Sequence, residues 1–143
     1  MKVLITGASS GIGRDMAREF AERKYDLVLV ARDEKRLNEL KTELEVKYNI
    51  NVKIIVRDLS NEENCINLYE ENKDIDILVN NAGFGVFGEF TKTDLQKELN
   101  LIKTNIIAVH ILTKLYLKDM VQKDSGRILN VSSIAGSMPG PLM

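Results

Sequence analysis

Short, nearly unbroken apolar runs alternate along the chain with longer stretches in which apolar residues recur every three or four positions. The runs are Val3–Thr6, Leu27–Ala31, Val52–Val56, Ile75–Asn80 and Arg127–Val131. Continuous β-branched runs of this length are expected for strands covered on both faces of a parallel sheet. Between the first two, Ile12, Met16, Ala17, Phe20 and Ala21 fall on one face of a helix. Asp33–Tyr48 carries Leu37, Leu40 and Leu44 on one side, and predicts a second helix. Ser60–Asn72 predicts a third, with Ser60 three residues before Glu63 as a capping box. The longest periodic stretch, Thr93–Lys123, reads as a single helix bearing Leu95, Leu99, Ile102, Ile106, Val109, Leu112 and Leu117. The order β-α-β-α-β-α-β-α-β implies right-handed crossovers and a doubly wound parallel sheet in three α/β/α layers. No repeat, low-complexity tract or linker interrupts it, so residues 1–143 are expected to form one domain. Periodicity leaves open an α/β sheet that binds no nucleotide.

Charge narrows the partners. Twenty basic and 21 acidic residues are spread along the chain, and the net charge is −1. Neither a basic patch for nucleic acid nor an acidic interaction tail is present. Cys65 is the single cysteine, which excludes a disulfide framework and a cysteine-based metal site. Met1 and Lys2 lead directly into the first apolar run, unlike a signal peptide, and no apolar stretch is long enough to span a bilayer. A cytoplasmic protein is the expectation.

The stretch VLITGASSGIGRDMAREF places Gly7, Gly11 and Gly13 between the first strand and the first helix. The spacing is G-x-x-x-G-x-G, not the commoner G-x-G-x-x-G. The physics is shared, because glycines let the backbone turn sharply towards a pyrophosphate. The helix start adds free N–H groups and the positive end of its dipole. Ser9 and Ser10 add hydroxyl donors. The alternative is a strand–helix turn that needs glycine only for its dihedral angles.

With these residues the chain resembles the short-chain dehydrogenase/reductase family, whose first motif is T-G-x-x-x-G-x-G; Thr6, Gly7, Gly11, Ile12 and Gly13 match it without a gap. Asp58 follows the third strand, where the family has an aspartate that contacts adenine. Asn80-Asn81-Ala82-Gly83 follows the fourth, where the family braces the central sheet and the cofactor site. Asn105 lies where the long helix of the family carries a catalytic asparagine, and GRILNVSSIAG matches its serine motif. The resemblance implies a Rossmann-like sheet of seven strands, in the order 3-2-1-4-5-6-7, of which this chain would supply five. It also implies a nicotinamide cofactor at Gly7, Ser9, Ser10, Gly11, Ile12, Gly13, Asp58, Asn81, Ala82 and Gly83, and a small carbonyl or alcohol substrate.

Cofactor choice belongs at the end of the second strand, where an acidic residue would hold a ribose 2′-hydroxyl. Ala31 stands there and Arg32 follows, a residue able to pair with the 2′-phosphate of NADP. Asp33 falls one place late and is expected to cap the next helix. NADP is therefore expected over NAD.

Carbonyl reduction needs a hydride, a proton donor and a polar group on the substrate oxygen. In the family the last two are a tyrosine, tuned by a lysine, and a serine. An asparagine contributes its backbone carbonyl to the proton relay. The resemblance assigns Ser133, the second of the pair, and Asn105, with Ser132 facing away. The tyrosine and lysine form a Y-x-x-x-K motif that, counted from Ser133, would fall beyond Met143. The chain is thus expected to be a C-terminally truncated member, inactive alone. A non-catalytic dinucleotide-binding or protein-interaction module, or a site completed by a second polypeptide, are the alternatives. Tyr69 and Lys73 also read Y-x-x-x-K, but on the helix before the fourth strand, away from the strand ends that line a nucleotide crevice. His110 is expected to be packed or at an interface, and Cys65 inert. Phe84 and Phe87 would touch substrate or cover the core. The free edge of the fifth strand predicts self-association. The long helix 93–123, which family dimers commonly pair, predicts a homo-oligomer.

Overall fold

Val3 and Ile5 leave β1 (Lys2–Thr6) on one face and Leu4 on the other, and all three are fully buried. Both faces are covered because the chain builds outwards from β1 to one side and then, after the third strand, to the other, which places helices on opposite faces. The computed structural model describes residues 1–143, with β2 (Asp26–Ala31), β3 (Val52–Val56), β4 (Ile77–Asn80) and β5 (Arg127–Asn130) in the parallel order β3-β2-β1-β4-β5. Ile5 pairs with Leu29 on one side and Val79 on the other, and Leu78 pairs with Ile128. This is the expected doubly wound sheet.

On the Val3–Ile5 face, α1 (Gly11–Glu22) contributes Ala17 and Ala21, and α2 (Glu34–Tyr48) contributes Leu37, Leu40 and Leu44. On the Leu4 face, α3 (Glu62–Glu70) brings Cys65, Leu68 and Tyr69. There α5 (Ala108–Gln122) adds Ala108, Leu112, Tyr116 and Met120. Each fully buried Leu or Ile contributes on the order of 1.5–3 kcal/mol. The two faces are the physical reason the strand runs are continuous rather than alternating. Tyr69 and Tyr116 meet edge to face at 5.2 Å, and the Tyr116 hydroxyl donates to the Asn72 carbonyl at 2.9 Å.

Two helix expectations are corrected. The third helix is capped by Asn61, whose side chain accepts from Asn64 N–H at 3.2 Å, not by Ser60. Ser60 N–H is already donated to the Asp58 carboxylate at 2.9 Å, which keeps Ser60 in the preceding turn. The long helix starts at Leu95, where Asp94 accepts from Lys97 N–H at 2.8 Å, and it is not uniform. A π-helical turn, Lys103–Ile107, separates α4 (Leu95–Ile102) from α5. Asp33 caps α2 as expected, accepting from Arg36 N–H at 3.0 Å.

β5 pairs only with β4, so its other edge is free, and Leu129 on it is 43% exposed. No helix is long and apolar enough to cross a membrane.

Candidate functional site

β1 has β2 on one side and β4 on the other, so the crossovers diverge at the C-terminal ends of β1 and β4. A crevice outside the sheet at such a switch point is the general ligand position of this architecture. Here a cleft of about 1030 Å³ opens there, lined by the glycine loop, the ends of β2 and β3, the loop after β4, the π turn and the end of β5. Gly7, Ser9, Ser10, Gly11, Ile12, Arg32, Asp58, Asn81, Ala82, Gly83, Asn105 and Ser133 all line it.

Gly13 does not. A Cβ on Gly13 would lie 2.3 Å from the Gly7 carbonyl oxygen and 2.4 Å from Asn81 Nδ2, so this glycine lets α1 pack against the loop. Gly7 and Gly11 both have left-handed backbones, with φ of +66° and +53°. A Cβ on Gly7 would meet Ala82 Cα at 2.8 Å, whereas one on Gly11 would meet nothing within 4 Å. Gly11 is therefore the glycine whose open side faces the cleft, beside the N-terminus of α1. That open backbone fits a pyrophosphate approaching the helix start.

The floor is braced by side chains. Thr6 Oγ1 donates to the Val79 carbonyl at 3.3 Å and accepts from the N–H groups of Asn81 and Ala82 at 3.0 and 2.9 Å. Asn80 is buried, and its Nδ2 donates to Thr113 Oγ1 at 3.0 Å and Asn130 Oδ1 at 2.8 Å, joining β4 to α5 and β5. Its Oδ1 is buried without a partner.

Asp58 accepts the Ser60 N–H, which holds its carboxyl below the usual carboxylate range against the opposing effect of partial burial; the Ser60 hydroxyl and the Arg32 guanidinium add to the shift. Arg32 is exposed on the same wall. Asn105 sits in the π turn, but its amide is committed to the loop after β4. Oδ1 accepts from Phe84 N–H at 3.1 Å and Nδ2 donates to the Phe84 carbonyl at 2.8 Å. Ser133 ends the extended segment after β5 and its Oγ accepts from Ala135 N–H at 3.1 Å. Ser132 borders the cleft too.

Tyr69 and Lys73 lie off the cleft. The Tyr69 hydroxyl donates to Asp119 Oδ2 at 2.8 Å, which raises its pKa, and Lys73 pairs with Glu70 at 2.7 Å. A phenol held protonated beside a carboxylate is the opposite of a tuned acid. His110 is exposed on α5 rather than packed. Phe84 and Phe87 line the cleft and are 39% and 70% exposed, so they do not cover the core. Burial pushes the Cys65 thiol up to about 11, consistent with an inert cysteine.

Two further basic residues that the strand and helix patterns did not single out, Arg36 and Arg57, also line the cleft. Arg36 had a legible signal, since it follows the cap Asp33 by three residues and so lies in the first turn of α2. Arg57 had none; its Nη2 pairs with Glu71 at 3.1 Å.

Comparison with known proteins agrees with this geometry. The family model described as short chain dehydrogenase matches residues 1–143. The chain is 39% identical over 140 residues to an NADP-dependent 3-hydroxy acid dehydrogenase of Schizosaccharomyces pombe, covering 94% of this chain and 54% of that protein. It is 34% identical over 147 residues to a very-long-chain 3-oxoacyl-CoA reductase of Anas platyrhynchos, covering 98% and 47%. A short-chain dehydrogenase from Sphingobium yanoikuyae, solved in complex with NADPH, superposes with a TM-score of 0.92 at 37% identity, covering 96% of this chain and 55% of that one. The chain thus spans about half the length of the curated relatives it matches.

Proposed function

The chain belongs to the short-chain dehydrogenase family, and from that premise we propose that it binds NADP in the cleft. It would do so as the nucleotide-binding part of an oxidoreductase acting on a small carbonyl or alcohol substrate. The observation that carries this is the convergence on one cleft of the open Gly11 backbone, Arg32, Asp58 and Ser133. Gly7, Ser9, Ser10, Gly11 and Ile12 would hold the pyrophosphate side. Asp58 would face the adenine. Arg32 would meet the 2′-phosphate, and Asn81, Ala82 and Gly83 would flank the nicotinamide half. The bound nicotinamide supplies the hydride. Ser133 would orient the substrate oxygen, and Asn105 would keep the loop after β4 in position through Phe84 while offering its backbone to a proton relay. Gly13 acts by packing.

The sequence holds no Tyr-x-x-x-Lys after Ser133, and Tyr69 is engaged by Asp119. We therefore expect these 143 residues alone to bind cofactor without turning over. That makes dinucleotide binding without chemistry the second reading for this chain taken by itself. The relative named NADP-dependent and the neighbour solved with NADPH support the choice of NADP.

The exposed stripe of Leu95, Leu99, Ile102 and Ile106 on α4 and the π turn supports self-association through this helix.

The test is titration of the purified chain with NADPH and NADH. NADPH should bind more tightly, and Arg32→Asp should move the preference towards NADH. An unchanged affinity ratio in that variant would remove Arg32 from the assignment. NADPH oxidation with a panel of ketones should stay at background, and turnover would overturn the expected inactivity.

A further inference from the structure

Asp33 and Arg36 form an exposed ion pair at the start of α2, with Arg36 Nε 3.5 Å from Asp33 Oδ2. Both line the same cleft as Arg32. The other carboxylate oxygen, Oδ1, already accepts the Arg36 backbone N–H at 3.0 Å as the helix cap. Both oxygens of Asp33 are thus turned to its own helix. A carboxylate so engaged is poorly placed to hold a ribose diol, although it stands only two residues beyond Ala31 at the end of β2.

We infer that Arg36 is a second specificity-determining guanidinium, held beside the cleft by Asp33 and transferred to the 2′-phosphate of the adenine ribose. The inference rests on the proposed NADP reading of this cleft. Three physical points carry it. Arg32 and Arg36 border one cleft, from the end of β2 and the first turn of α2. The Arg36–Asp33 pair has side chains 62% and 46% exposed, and pairs of this kind contribute little, so exchanging the partner costs little. A phosphate dianion is a stronger acceptor for guanidinium than a solvated carboxylate, and takes it in bidentate geometry. Asp33 then has two parts: it caps α2 in every state, and it holds Arg36 close to the cleft when no anion is there. Its negative charge on the same wall also opposes the phosphate, so it limits affinity while it positions Arg36.

The experiment is calorimetric titration of the chain with adenosine 2′,5′-bisphosphate and with 5′-AMP, which differ in the 2′-phosphate. Arg36→Gln should weaken the bisphosphate about tenfold, the scale of one lost hydrogen bond to a charged group, and leave 5′-AMP within about twofold. Asp33→Asn keeps a good cap and should tighten the bisphosphate while leaving 5′-AMP unchanged. Circular dichroism of both variants checks that α2 is intact. If Arg36→Gln leaves the ratio of the two affinities unchanged while Arg32→Ala collapses it, the inference is overturned and the NADP reading stands. If Asp33→Asn weakens 5′-AMP, Asp33 holds the ribose hydroxyl and the inference is again wrong. If the unaltered chain binds the two probes equally, or neither, the NADP reading itself fails.

Discussion

The side-chain amide of Asn81 donates to the carbonyls of both Thr6 and Gly7, at 3.0 and 3.2 Å. One Nδ2 group therefore ties the loop after β4 to the turn after β1, the two segments that flank the switch point. Replacing Asn81 with Ala leaves two partly buried carbonyls without their donor, which costs about 1–3 kcal/mol. Chemical denaturation should show that loss, and NADPH affinity should fall with it.

Gly13 and Gly11 should separate under the same substitution. Gly13→Ala forces a Cβ to within 2.3 Å of the Gly7 backbone oxygen, where nothing flexible can yield. The fold should lose about 1–3 kcal/mol or more, as in other overpacked sites. Gly11→Ala meets no atom and carries only the left-handed backbone strain of about 1–2 kcal/mol. Its main effect is expected on nucleotide binding. Thermal melts and NADPH titrations of the two variants check this.

Acid should weaken the fold through Asp76 and Glu43 as well as Asp58. Lys2 N–H, with the charge of Lys123, depresses the Asp76 carboxyl; Arg18 depresses Glu43 through a hydrogen-bonded pair at 2.8 Å. Groups with lowered folded pKa contribute stability that is fully present above their unfolded values, about 4. That contribution is lost as pH falls through the depressed folded values. Denaturant midpoints from pH 7 to pH 2 should decline below about pH 4. The difference between the unaltered chain and Asp76→Asn should close over the same interval.

Cys65 is buried, with its thiol raised to about 11 and donating to the Leu59 carbonyl. A disulfide reagent at pH 8 should leave it unmodified in the folded chain and label it once denaturant unfolds the chain. Rapid labelling without denaturant would show that α3 opens locally.

The α4 stripe offers a solution test. Ile102 and Ile106 are 43% and 61% exposed, so Ile102→Glu with Ile106→Lys should leave the fold intact. Light scattering should report a shift from a larger species to a monomer. A chain that is monomeric before substitution contradicts association through this helix.

The apolar runs were sufficient to predict five parallel strands, because a strand buried on both faces must be apolar at successive positions, as Val3, Leu4 and Ile5 are. The glycine spacing was legible because close backbone approach restricts residue type locally; Asp58, Asn81, Asn105 and Ser133 were singled out only through the resemblance to the family. Tertiary contacts decided most of the rest. The cap of α3 was settled locally instead, because Asp58, two residues back, takes the Ser60 N–H and Asn61 accepts from Asn64. The long helix is divided by a π turn at Asn105, whose amide bonds Phe84, 21 residues away. Gly13 is closed in where Gly11 is open because the Gly7 carbonyl, from its own loop, and the Asn81 amide, from the loop after β4, pack against it. Periodicity reports what one element needs from its neighbours. Which neighbour supplies it, and so which side chains share the cleft, depends on contacts between residues distant in the chain.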